Sequence, residues 1–230
     1  MKKKGLVLLV CLALVAIVGV NDTMANSVQG WFKDLSAWLG DALGKPDVNP
    51  QSLDVELVSA ADGVLIPSHY ADDFAWEKVN PVTHTTYVQN VADEAAFVEA
   101  AFVRICIAVK EDAVLKYQPP VGQGYVTRTI PQKGYTVYTF DYADTLAAGA
   151  KTPDITMQVA LTKETDNEDL ARIGTDFIKV QSFAIQASAF AKLDEQGKQI
   201  PDGDTTTPPM KPETALNSAL GDRTTFSPFN

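Results

Sequence analysis

The chain has 230 residues, 46% of them hydrophobic and 21% charged, with 14 Gly and 13 Pro. Those proportions belong to a folded globular protein and exclude a collagen-like or wholly disordered chain. The formal net charge is −10, and an acidic surface repels phosphate backbones, which argues against a nucleic-acid partner.

Residues 1–25 read as a targeting segment. Lys2, Lys3 and Lys4 form a positive n-region, residues 5–20 are an almost uninterrupted apolar run, and Thr23-Met24-Ala25 presents small residues at the −3 and −1 places of a cleavage site. This is the pattern of a secretory signal peptide. Cleavage takes 25 of the 230 residues and leaves 205; it removes Lys2, Lys3, Lys4 and Asp22, a net +2, so the charge of −10 becomes −12. Left uncleaved, residues 4–20 are marginally long enough to anchor the chain in a bilayer. Cys11 lies inside this run without the small residue that precedes a lipoprotein cysteine, and it reads as a hydrophobe. Cys106 is then the only mature thiol, no intramolecular disulfide forms, and stability must come from the core.

Residues 26–45 carry Trp31, Leu35, Trp38, Leu39 and Ala42 on one helical face, with Lys33, Asp34, Ser36 and Asp41 on the other. Gly44 and Pro46 end this amphipathic helix. Its tryptophan stripe needs a surface: its own domain, a membrane surface or a sister subunit.

From residue 51 the period changes to two. Leu53, Val55 and Leu57 alternate with polar neighbours, and Ala61-Asp62-Gly63 supplies a turn before Val64-Leu65-Ile66. Residues 68–76 read as an acidic, aromatic loop with a short helix. Strands are expected at 82–91 and 97–109, although 94–101 is also compatible with a helix. Cys106, inside the second of these and without a histidine nearby in sequence, reads as a buried, inert thiol. Further strands fall at 126–130, 135–140, 155–161 and 177–190; in the third, Ile155, Met157, Val159 and Leu161 share one side. Between the last two, Asp166 is placed to N-cap a short helix over 169–173. Many short strands separated by turns predict an all-β fold, an antiparallel β-sandwich or jelly roll, over residues 46–192. Residues 193–230 read as a Pro/Thr-rich polar tail, with a short docking piece near 215–220.

Enzyme signatures are largely missing. His69 and His84 are the only histidines and belong to no H-E-x-x-H pattern. There is no G-x-S-x-G elbow, and Gly122-Gln123-Gly124 precedes a strand rather than a helix N-terminus. Asp141 and Asp144, and the group Asp166, Glu168 and Asp169, offer oxygen ligands for calcium, but neither spacing is that of a calcium loop; both read as solvated acidic loops. The expectation is a non-enzymatic protein without catalytic residues, metal or cofactor.

Several ordered motifs resemble the TasA and camelysin (CalY) family, proteins of Gram-positive bacteria exported with the dedicated signal peptidase SipW. They are a lysine-led signal, Asn90 at the end of Tyr87-Val88-Gln89-Asn90, Val103-Arg104 within Phe102-Val103-Arg104-Ile105, and Ala184-Ile185-Gln186-Ala187 followed by Phe190. Gly30-Trp31-Phe32-Lys33-Asp34 approximates the aromatic pair and Asp that family members carry past the signal. The resemblance covers roughly residues 1–110 and 177–191. It implies a jelly-roll subunit secreted into the biofilm matrix or onto the cell surface, where it self-associates into fibres by adding a strand to its neighbour. Two rival readings accompany it. One is a camelysin-like surface metallopeptidase with His69 or His84 and carboxylates on a metal. The other is a monomeric binding module or adhesin using the Trp31/Trp38 face or an exposed loop.

Overall fold

Two kinds of hydrophobic pattern, the alternation at 155–161 and the run at 102–109 that is apolar except for Arg104, become two kinds of strand in the structure, a computed structural model. It describes residues 15–19 (backbone only), 55–63, 75–76, 79, 81–91, 99–174 and 177–221. In chain order the strands are β1 (Val15–Gly19), β2 (Val55–Ala61), β3 (Val82–Asn90), β4 (Ala101–Lys110), β5 (Leu115–Tyr117), β6 (Val121–Gly122), β7 (Tyr125–Gln132), β8 (Tyr135–Tyr142), β9 (Ile155–Leu161) and β10 (Ile178–Gln186). Two helices, α1 (Asn167–Ile173) and α2 (Pro212–Leu220), accompany them. The expected helix at 26–45 with Trp31 and Trp38, residues 64–74 with His69, residues 92–98 and residues 222–230 lie outside the described residues.

The strands form two antiparallel sheets, so the all-β expectation holds. The first sheet has the order β1-β10-β4-β8-β7; the second has β2-β3-β9-β5, with β6 also paired to β9. Their facing sides share one core, in which Val103, Ile105, Ile107 and Val109 of β4 meet Val88 of β3 and Ile155, Met157, Val159 and Leu161 of β9. The alternating residues of β9 thus lie on one side as expected.

β4 is apolar on both sides apart from Arg104 and the terminal Lys110, because both of its faces are covered. Phe102, Cys106 and Ala108, on the face turned away from the second sheet, form another apolar cluster with Phe183 and Ile185 of β10 and with Ala215, Leu216, Ala219 and Leu220 of α2. A helix layer therefore lies on the outer side of the first sheet.

Local chemistry explains most boundaries. Asp166 accepts a hydrogen bond from the Asp169 backbone N–H at 2.8 Å and the Asp169 carboxylate in turn accepts one from the Asp166 backbone N–H, a capping box that starts α1. Gly134, at φ 84°, closes the tight β7–β8 hairpin in a conformation that side chains other than glycine rarely adopt. The strand expected over 177–190 ends earlier, at Gln186, because Ala187–Ala189 turn into a 3-10 helix. β5 and β6 are additions to the expected strands; they flank Pro119-Pro120, which keeps each of them short. The stretch expected as a polar tail is tied back by a Leu193–Gln199 bridge and by the Met210 N–H donating to the Leu193 carbonyl at 2.7 Å. Its expected docking piece is α2.

Candidate functional site

Arg104 interrupts the apolar outer face of β4, and everything around it answers its charge. In register it stands opposite Asp141 of β8 and Phe183 of β10. Its Nε and Nη2 donate to the two Asp141 oxygens at 2.6 and 2.9 Å, a bidentate pair in which both side chains are fully buried. Arg128 of β7 donates to Asp141 Oδ2 at 3.0 Å from the solvent side. The desolvation cost of burying such a pair is offset only when its remaining hydrogen-bonding capacity is also used. Arg104 uses it on α2, donating from Nη1 to the Gly221 carbonyl at 2.9 Å and from Nη2 to Asn217 Oδ1 at 2.6 Å. A cation against the last carbonyls of a helix also complements its dipole.

The other end of α2 is held by the opposite charge. Lys211 supplies no side-chain cap, and Pro212 opens the helix. Glu195 caps it instead, its carboxylate accepting from the Lys211 N–H and from the Thr214 hydroxyl, both at 2.7 Å. The Thr214 hydroxyl foremost, then the Lys211 N–H, hold this carboxyl below its ordinary value. A carboxylate at the N-terminus and a guanidinium at the C-terminus fix α2 in one orientation over β4 and β8.

The margins of the sheets differ in how they are guarded. Edge strands expose unpaired backbone groups and are normally kept short, charged or interrupted by proline. β5 and β6 have three and two residues. β7 carries Pro131, and β2 has Glu56 exposed. β10 has nine residues, no proline and Lys179 as its single charge. Its outer side is covered by β1, which pairs from Val15 opposite Ile185 to Gly19 opposite Gln181. The strand that closes this edge therefore comes from the apolar run read as an export signal.

The residues singled out in sequence are scattered. His84 lies on β3, half-buried, with its ring edge-on to Phe177 at 6.1 Å. Burial lowers its pKa, and the nearby Asp62 carboxylate opposes that shift. Cys106 is fully buried, and burial pushes its thiol up to about 11, against a weak contact with the Thr139 hydroxyl at 4.0 Å. Asp141 corrects the reading of a solvated acidic loop: it sits within β8, buried and paired, three residues from the exposed Asp144. Asp166 and Asp169 are occupied by the α1 cap, and Arg172 pairs with Asp169 and Asp112. Among the described residues no group of three or more His, Cys, Asp or Glu side chains is arranged to hold a metal ion, and no helix is long and apolar enough to cross a membrane.

Asn90, which ends β3 and carries part of the family resemblance, is a fully buried loop clamp. Its Nδ2 donates to the Glu99 and Leu146 carbonyls at 2.9 and 3.2 Å, while its backbone exchanges hydrogen bonds with Ala150 and Gly149. The Arg104–Asp141 pair was missed by sequence reasoning. Its signal was present, since an arginine inside an eight-residue apolar run must find an anion once it is buried. No family model matches the chain, and no curated protein does.

Proposed function

We propose that this chain is a secreted structural protein, a subunit of extracellular or cell-surface fibres that grow by strand addition at the β10 edge. The observation that carries this reading is the pairing of Val15–Gly19 with Gln181–Ile185. Export processing after Ala25 removes β1 and leaves β10 as a long margin with its outward backbone groups open to another strand. A strand from a neighbouring copy restores those hydrogen bonds, and the alternation of side chains sets its register. The jelly-roll connectivity implied by the TasA and camelysin resemblance belongs to this same proposal. In it the first sheet receives the added strand, and no catalytic group, cofactor or nucleic acid takes part.

The test is size-exclusion chromatography and negative-stain electron microscopy of residues 26–230, with and without calcium or zinc. Ordered filaments or a ladder of oligomers without metal is the expected result. A monomer under every condition overturns the proposal in favour of a binding module, and activity or assembly that appears only with metal turns it toward the metallopeptidase reading.

A further inference from the structure

The residues of β10 that receive the added strand also belong to the layer beneath α2. Of the five positions paired with β1, Phe183 and Ile185 lie in the outer apolar cluster together with Leu216 and Leu220 of α2 and Met210 before it. Phe183 stands opposite Arg104, the residue that holds the C-terminal end of α2 through Asn217 and Gly221. The middle of the edge and the helix anchor thus share one rung of the β10–β4 ladder.

We propose that α2 is a strap that stiffens the β10 edge from behind, so that docking of the strap and pairing of a strand at the edge are coupled. The purpose assigned to this coupling, control of fibre growth, rests on the proposed function; the coupling itself does not. Strand addition is fastest onto an edge already held extended and in register, because the incoming chain then orders only itself. With α2 lifted, Phe183 and Ile185 lose the covering layer of their cluster, and two donor groups of Arg104 lose their acceptors. β10 then frays together with the side chains that supported it. Coupling of this kind is reciprocal: whatever occupies the edge also holds the strap down. The strap is held by one apolar face, Ala215, Leu216, Ala219 and Leu220, and by directed contacts at its two ends, at Glu195 and at Arg104, which suits a segment that docks and lifts as a unit.

The full chain is sufficient for the test. Asn217 is partly exposed, so Asn217→Ala loosens the strap without opening the sandwich core; Leu216→Ala serves as a second variant that acts on the apolar face of the helix. Strap opening is read from alkylation of Cys106, which lies beneath α2 and is recovered in the tryptic peptide Ile105-Cys106-Ile107-Ala108-Val109-Lys110, separate from Cys11. Edge order is read from hydrogen exchange at residues 181–185, with residues 155–161 of β9 in the second sheet as the internal control. Each variant is expected to speed Cys106 alkylation about tenfold and exchange at 181–185 by a similar factor, with β9 unchanged. Faster alkylation with wild-type exchange at 181–185 overturns the coupling, and so does unchanged alkylation in both variants. Failure of the fibre proposal is seen separately, as an absence of filaments from the processed chain while the coupling in the full chain persists.

Discussion

The two faces of β4 place very different demands on the same strand. Toward the second sheet, Val103, Ile105, Ile107 and Val109 form a wholly aliphatic surface within the sandwich core. Toward α2, Phe102, Arg104, Cys106 and Ala108 mix an aromatic ring, a charge and a thiol. Aliphatic packing stabilises without demanding one arrangement, whereas a buried ion pair tolerates only the arrangement that satisfies it. The inner face thus makes the sandwich stable, and the outer face dictates where the C-terminal segment lies.

Substitutions on each face can break or sharpen this contrast. The largest loss is expected from Asp141→Ala, which strands Arg104 as an uncompensated buried cation and removes the partner of Arg128; it should cost about 3–5 kcal/mol in urea unfolding. On the inner face, Ile105→Ala should cost about 3 kcal/mol through lost burial and a cavity. It should do so without speeding Cys106 alkylation under native conditions, since α2 keeps its anchor. If both variants expose the thiol equally, the two faces are not independent.

Replacing the whole ion pair should do far less. Arg104→Met with Asp141→Leu is expected to change unfolding free energy by under about 1 kcal/mol, because removing both charges leaves no buried ion behind. The contrast then shows in α2 and in the β10 edge beneath it, as faster hydrogen exchange over residues 212–220 and 181–185 in a domain of nearly unchanged stability.

Smallest is the effect of pH at the Glu195 end. A carboxyl held below its ordinary value contributes stability that is fully present above the unfolded value of 4.5 and is lost as the pH falls through the lower folded value. Protection of residues 212–220, taken relative to the intrinsic exchange rate at each pH, should therefore fall on acidification below about pH 4.5 in the wild type, and fall less in Glu195→Gln. Equal acid responses would remove Glu195 as an anchor of the strap.

Much of the architecture was legible in the sequence wherever one physical cause acted alone. The period of two at Ile155, Met157, Val159 and Leu161 reports a half-buried strand directly, and Asp166 placed three residues before Asp169 reports a helix start. Legibility failed where distant residues decide the outcome. Asp141 looks like a loop acid beside Asp144 until β8 is aligned with β4, which brings it opposite Arg104 across 37 residues of chain. Glu195 gives no local sign that it caps a helix 16 residues later. The docking piece near 215–220 was legible from its apolar residues, whereas the polar composition of residues 201–209 concealed that the connector before it folds back through the Leu193–Gln199 bridge and the Met210 N–H. The candidate edge was hidden for another reason, since the strand covering it lies in a run whose composition speaks of export.

Hydrogen exchange of residues 26–230, compared before and after assembly, tests the central claim most directly. The account predicts that the edge-facing amides among residues 181–185, those not bonded to β4, exchange readily in the free subunit and become strongly protected in filaments, while those of β9 change little. Filaments that form with residues 181–185 left as exposed as in the free subunit would contradict it.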